Sequence, residues 1–151
     1  MQIRPIGSGD RTYFLQSVQA FYHSPAVCHA IPPQYAERTF DLLMQGTPYA
    51  DCLIAEDDAG APLGYCLLAL TWSNEGGGLC VWLEELMVEE SARSMGVGSK
   101  LIAAVRARYP AATRFRLEVT EDNPRAAALY RRLGFSDLDY GQMVLDIPPA
   151  P

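Results

Sequence analysis

The chain has 151 residues, 49% of them hydrophobic and 20% charged, a length and balance that give one soluble domain with its own core. Its formal net charge of −6, with Lys100 the single lysine, excludes the basic face that nucleic-acid phosphates require and suits a cationic substrate. No apolar run approaches the roughly 20 residues of a membrane helix. The first ten residues, "MQIRPIGSGD", lack the basic and apolar regions of a secretory leader, so the expected location is cytoplasmic.

"MQIRPI" reads as a short strand that turns through Gly7, Ser8, Gly9 and Asp10 into a helix. Phe14, Leu15, Val18 and Phe21 recur at helical spacing from Arg11 to Phe21. "YHSPAVCHAIPP" is irregular, and Pro32 and Pro33 suit the start of a second helix running through Tyr35, Phe40 and Leu43. "DCLIAED" and "PLGYCLLALTW" are strands joined by the turn "DDAGA", and "LCVWLEELMV" is a third after the loop "SNEGGG". A glycine-containing loop then opens a helix that ends near Tyr109. "RFRLEVTE" is a strand, "NPRAAALYRRLGF" a helix closed by Gly134, and "YGQMVLDI" a last strand. The order βααβββαβαβ gives a mixed α/β (α+β) sheet with helices on its faces. No repeat or linker divides residues 1–151, so they read as a single domain.

Cys52, Cys66 and Cys80 sit in apolar strand-like runs. Cys28 makes the fourth cysteine. No CxxC pair or zinc-spaced histidine accompanies them, so they read as reduced core thiols and no metal site is expected.

The stretch "EESARSMGVGSKLIAAVRARY" raises the question of a bound anion. A nucleotide P-loop fails, because Ser99 separates Gly98 from Lys100 and no glycine stands five residues before Gly98. A dinucleotide fingerprint fails as well, because Leu101 occupies the third glycine position after Gly96 and Gly98. What remains is RxxGxG at Arg93, Gly96 and Gly98. A helix N-terminus offers unpaired amides and the positive end of a dipole, so the amides of Ser94, Met95, Gly96, Val97, Gly98 and Ser99 suit a pyrophosphate. A plain glycine-rich turn is the alternative.

Taken together, "LEELMVEESARSMGVGSKLI" and "RLEVTEDNPRAAALYRRLGF" resemble the GNAT superfamily of acetyl-CoA-dependent N-acetyltransferases. Arg93 to Gly98 match that family's [RQ]xxGx[GA] motif. Asn123, Ala126, Leu129, Tyr130, Leu133, Gly134 and Phe135 match its second signature. The likeness runs from Pro62 to Ile147, and the two N-terminal helices agree only in their order.

The resemblance implies a mostly antiparallel central sheet with helices on both faces. In it, strands at Val81–Val88 and Arg114–Val119 run parallel and splay apart. It further implies that Leu86, Met87 and Val88 pair through their backbones with the pantetheine arm of acetyl-CoA. The diphosphate would lie on Ser94–Ser99, and Asn123 would contact the cofactor arm or cap its helix. The implied reaction is attack of an amine on the thioester, with Tyr130 as acid toward the leaving thiolate.

Glu84 and Glu85 interrupt an apolar strand, where a carboxylate is costly unless solvated or paired. Strict alternation sends them to opposite faces. The family resemblance implies Glu84 as the base and Glu85 as a substrate contact, with ion pairs to arginine as the alternative for each. Glu118 and Glu121 are secondary base candidates. His23 is a candidate substrate contact in the loop between the first two helices. The expected acceptor is a primary amine of a small molecule such as a polyamine or amino sugar. The alternatives are a protein N-terminal or lysine amine, or a non-catalytic acyl-CoA-binding module. The resemblance also allows a homodimer.

Overall fold

Three apolar runs build the middle of the sheet, and short polar turns let them fold back on one another. The computed structural model describes residues 1–147. Strand β1 (Gln2–Pro5) leads through a short 3₁₀ turn into α1 (Arg11–Phe21) and α2 (Pro33–Gln45). Strands β2 (Ala50–Glu56), β3 (Pro62–Ser73) and β4 (Gly78–Val88) follow, then α3 (Val97–Arg108), β5 (Ala112–Leu117) and α4 (Pro124–Arg132). The helix read at Arg11–Phe21 has those bounds, and α2 opens with Pro33 in its first turn, where a missing amide does no harm.

The sheet order is β1-β2-β3-β4-β5. Pairs along it are antiparallel except β4 with β5, which is parallel. One face buries Leu68, Val81 and Leu83 against Val97, Leu101 and Val105 of α3 and Tyr130 of α4. The other buries Ile54 and Tyr65 against Phe14 and Val18 of α1 and Ala36 and Phe40 of α2. Each such fully buried side chain stabilises the fold by about 1.5–3 kcal/mol. The Asp10 carboxylate ties β1 to α1, accepting from Arg4 at 2.7 and 2.8 Å and from the Gly7 amide at 2.7 Å.

One expected element does not form. Tyr140–Ile147 lie in no strand, and Met143 and Ile147 are 99% and 81% exposed. Strand propensity reflects how well residues fit a pleated, half-buried surface, and this segment pairs with no strand among the described residues. Among the described residues no helix is long and apolar enough to cross a membrane.

Candidate active site

The parallel pairing of β4 with β5 stops at Leu83 and Leu117. On its other side β4 stays paired with β3 as far as Val88 with Gly64. From Glu84 to Val88, therefore, β4 has one satisfied edge and one edge facing a fork. Leu86, Met87 and Val88 lie on that open stretch. The β3 backbone approaches closely here. A β-carbon at position 64 would stand 2.4 Å from the Met87 carbonyl oxygen, so only glycine fits.

A β-bulge overturns the expected alternation of the two acids. The register passes from Leu67↔Glu85 to Leu68↔Leu83, leaving Glu84 as the extra residue on β4. Both carboxylates consequently line one pocket of about 250 Å³, with Phe14, Val18, Tyr22, Tyr35 and Leu67 among its walls. No basic side chain lines it, and neither acid forms an ion pair with a described residue, contrary to the ion-pair alternative.

Glu85 is 6% exposed and accepts a 2.5 Å hydrogen bond from the Tyr65 hydroxyl. Burial pushes its carboxyl above the usual range, against the pull of hydrogen bonds from Tyr65 and Tyr22. Glu84 is more exposed, yet its carboxyl is also raised, by partial desolvation at the pocket wall and then by Glu118. The register explains that second cause: Glu84 and Glu118 are the residues immediately after the last paired positions, Leu83 and Leu117.

Across the fork, the turn before α3 holds Ser94 at φ 67° and Gly96 at φ 78°. Gly96 is the N-cap of α3 in the left-handed region, where a β-carbon would be strained. The amides of Val97, Gly98 and Ser99 stand in the first turn of the helix, which leaves them without intrahelical acceptors; Lys100 N donates to Gly96 O at 3.0 Å. Met95 N is already committed to Ala92 O at 3.3 Å, so the cradle of free amides is narrower than Ser94–Ser99. Gly98 is buried, and a β-carbon there would meet Leu129 at 3.3 Å, Leu86 at 3.7 Å and Val88 at 3.8 Å. Its lack of a side chain seats α3 against α4 and the open end of β4.

Arg93 is exposed, with Nε 3.4 Å from Val88 O. A second cation reaches the turn, Arg125, which donates to Ser94 Oγ at 2.7 Å. The sequence reading passed over it, although its place two residues after Asn123 on α4 was available.

Tyr130 is 9% exposed in the core on the α3 and α4 face, its ring 5.9 Å from Phe135. Its hydroxyl has no hydrogen-bond partner among the described residues, and burial pushes its pKa to about 12. Asn123 caps α4, its Oδ1 accepting from Ala126 N at 3.2 Å, with Pro124 following at the first helical position. His23 is exposed, with Nδ1 2.7 Å from Gln19 O at the end of α1, and does not line the pocket. Its neighbour Tyr22 does. Tyr65 and Tyr22 were missed because a tyrosine in an apolar run reads as core; only the bulge turns Glu85 toward them.

An open parallel fork, an amide-lined helix start on one side of it and an acidic aromatic pocket on the other define an acyltransferase-like site. The sequence profile of the Acetyltransferase (GNAT) family matches residues 15–135, and the chain belongs to that family. It is 35% identical over 104 residues to a thialysine N-epsilon-acetyltransferase of Bos taurus, covering 61% of this chain and 59% of the relative. The corresponding protein of Sus scrofa is 34% identical over 103 residues, covering 60% and 58%. The chain thus spans about three-fifths of the length of these curated relatives. Among solved structures, a probable acetyltransferase superposes with a TM-score of 0.80 at 19% identity, covering 99% of this chain and 100% of that one. The aminoglycoside N-acetyltransferase AAC(6')-Iy in complex with CoA gives 0.78 at 18% identity, covering 96% and 93%. These likenesses establish the fold.

Proposed function

We propose that residues 1–151 form one acetyltransferase domain that transfers the acetyl group of acetyl-CoA to a primary amine on a small molecule. The observation that carries this reading is the bulge at Glu84. It sets two carboxylates, neither in an ion pair with a described residue, in an aromatic pocket beside the fork. Such a pocket favours a cation, through charge and through the faces of Tyr22 and Tyr35. A polyamine or an amino sugar meets that description. The names of the relatives, thialysine and aminoglycoside acetyltransferases, point to amine acceptors of the same kind.

The residues on the other side of the fork fit acetyl-CoA. The unpaired amides of Gly96, Val97, Gly98 and Ser99 suit a diphosphate, with Arg93 and Arg125 adding positive charge beside them. The open edge of Leu86–Val88 suits an extended amide-bearing arm. When bound, acetyl-CoA supplies an acetyl group already activated as a thioester.

The chain's own groups then divide the proton transfers. Glu84, at the pocket wall, accepts a proton from the incoming ammonium directly or through water. Its raised pKa brings it closer to that task than an ordinary surface glutamate. Glu85, deeper and held by Tyr65, anchors the positive charge. Tyr130 keeps its proton at neutral pH and supplies it at its hydroxyl to the departing sulfur. Asn123 serves chiefly by fixing the start of α4, from which Leu129 and Tyr130 project.

A cytoplasmic location and a homodimeric state belong to the same proposal. Four free cysteines, three of them buried, suit a reducing compartment. The test is release of free CoA from acetyl-CoA, followed by thiol assay against polyamines, amino sugars, amino acids and basic peptides. Acceleration by small amines is expected. Acceleration only by peptides would move the acceptor to proteins, and acceleration only by alcohols or thiols would overturn N-acetylation.

A further inference from the structure

Beside the acidic pocket, on the same face of the sheet, stands a cation that the proton transfers above do not use. Val81 and Leu83 turn inward against α3, so Trp82 between them faces the side of α1 and α2. Arg116, paired with Trp82 and flanked by the inward Phe115 and Leu117, faces the same way. Its guanidinium lies over the Trp82 ring, 4.1 Å from the centroid. Arg116 and Trp82 are both half-buried, yet Arg116 forms no ion pair or hydrogen bond with a described residue. Glu75 is committed to Arg114 at 2.7 Å, and Glu118, two positions further along the chain, is exposed and unpaired with it. Stacking occupies the flat face of a guanidinium and leaves its in-plane donors free for a planar, bidentate anion, above all a carboxylate. A half-buried cation without such a partner carries a desolvation cost that a ligand's anion offsets.

The surroundings decide which molecule brings that anion. Trp82 and Val88 stand about 20 Å apart along β4 at ~3.3 Å per residue, so the turn that suits the diphosphate is out of reach. Glu84 is only about 7 Å along the strand from Trp82 by the same rise. One surface therefore has an acidic end at the pocket and a cationic end beside it. We infer that Arg116, held flat on Trp82, receives a carboxylate of the acceptor whose reactive amine lies at Glu84 and Glu85. The acceptor is then an amino acid acetylated on a side-chain amine. This rests on the amine-acceptor reading above and narrows it. A linear polyamine extended along this surface sets a second ammonium against Arg116, a like-charge contact that selects against it.

CoA release with lysine, lysinamide and 1,5-diaminopentane tests the inference, because these amines share a terminal ammonium and differ in the carboxylate. The wild-type chain should show kcat/KM roughly tenfold or more higher for lysine than for the others. Arg116→Gln should remove that preference through KM and leave the carboxylate-free amines at or above their wild-type values. Arg116→Lys keeps the charge and loses the bidentate fork, so it should show the same loss in smaller measure if the Gln variant does not fold. Equal losses for all the amines in a variant folded by circular dichroism would make the stack structural and overturn the inference. A wild-type chain that acetylates 1,5-diaminopentane or lysinamide as well as lysine would overturn it too, with amine acetylation left standing. Turnover of no amine at all would overturn the underlying reading and this inference with it.

Discussion

Tyr65 donates its hydroxyl to Glu85 at 2.5 Å across the β3–β4 ladder, beneath a pocket with no basic side chain. The tyrosine is fully buried, wedged 5.4 Å from the ring of Phe14, so the hydroxyl has little freedom to turn elsewhere. Removing it with Tyr65→Phe leaves a buried carboxylate short of a donor, at about 1–3 kcal/mol. Denaturant midpoints should fall accordingly. The KM for the amine should rise while acetyl-CoA affinity holds, and equal losses in both would show a general loosening of the sheet instead.

The pH dependence of stability follows from the same carboxyl. Glu85 is raised above its unfolded value, so the folded chain binds a proton that the unfolded chain releases. Its contribution to stability is full below the ordinary glutamate pKa of about 4.3 and is lost as pH climbs through the raised folded value. Glu85→Gln should flatten that part of the curve in urea titrations taken from pH 4 upward. A wild-type slope in the Gln variant would assign the effect to another group. Glu84 should appear in kinetics, as a rising acid limb of kcat/KM that Glu84→Gln abolishes.

Tyr130→Phe keeps the ring packing against Phe135 and removes only the hydroxyl. Acetyl-CoA binding and melting temperature should stay near wild type, while kcat drops roughly 10²-fold if general acid catalysis contributes its usual share. Single-turnover rates are the measurement that matters, and an unchanged rate would leave Tyr130 as packing.

Two glycines reach the acetyl-CoA site by different routes. Gly98→Val pushes on Leu129, Leu86 and Val88, displacing α3 and its first-turn amides. Gly64→Ala places a carbon against the Met87 carbonyl and forces the open end of β4 to shift. Calorimetry should show acetyl-CoA binding weakened at least tenfold in each, with circular dichroism confirming a fold. Undiminished affinity in folded Gly98→Val would separate the turn from the diphosphate.

Local signals were legible where a pattern repeats or a cap is written out. The spacing of Phe14, Val18 and Phe21 marked α1, and Asn123 with Pro124 marked the start of α4. The fork came from the family resemblance, because divergence of two strands whose last paired residues, Leu83 and Leu117, lie far apart in sequence leaves no periodic trace. The acids failed for a specific reason: period-2 alternation assumes an unbroken ladder, and one extra residue at Glu84 cancels it. Likewise "YGQMVLDI" has the composition of a strand, yet a strand exists only with a neighbour, and composition does not say whose.

The cysteines acquire a different meaning once the chain is taken to handle a thioester. Any accessible thiolate would exchange with that ester and divert the acetyl group onto the protein itself. Cys52, Cys66 and Cys80 are all buried, and burial raises each thiol above its ordinary pKa, Cys52 and Cys66 most strongly. They remain protonated and out of reach, which makes the sheet chemically inert toward the activated group it holds. Only Cys28 is exposed, outside the sheet in the loop between α1 and α2. A thiol reagent should therefore titrate one sulfhydryl in the native chain and four after denaturation. Prompt reaction of a second thiol before unfolding would show that this self-protection is incomplete.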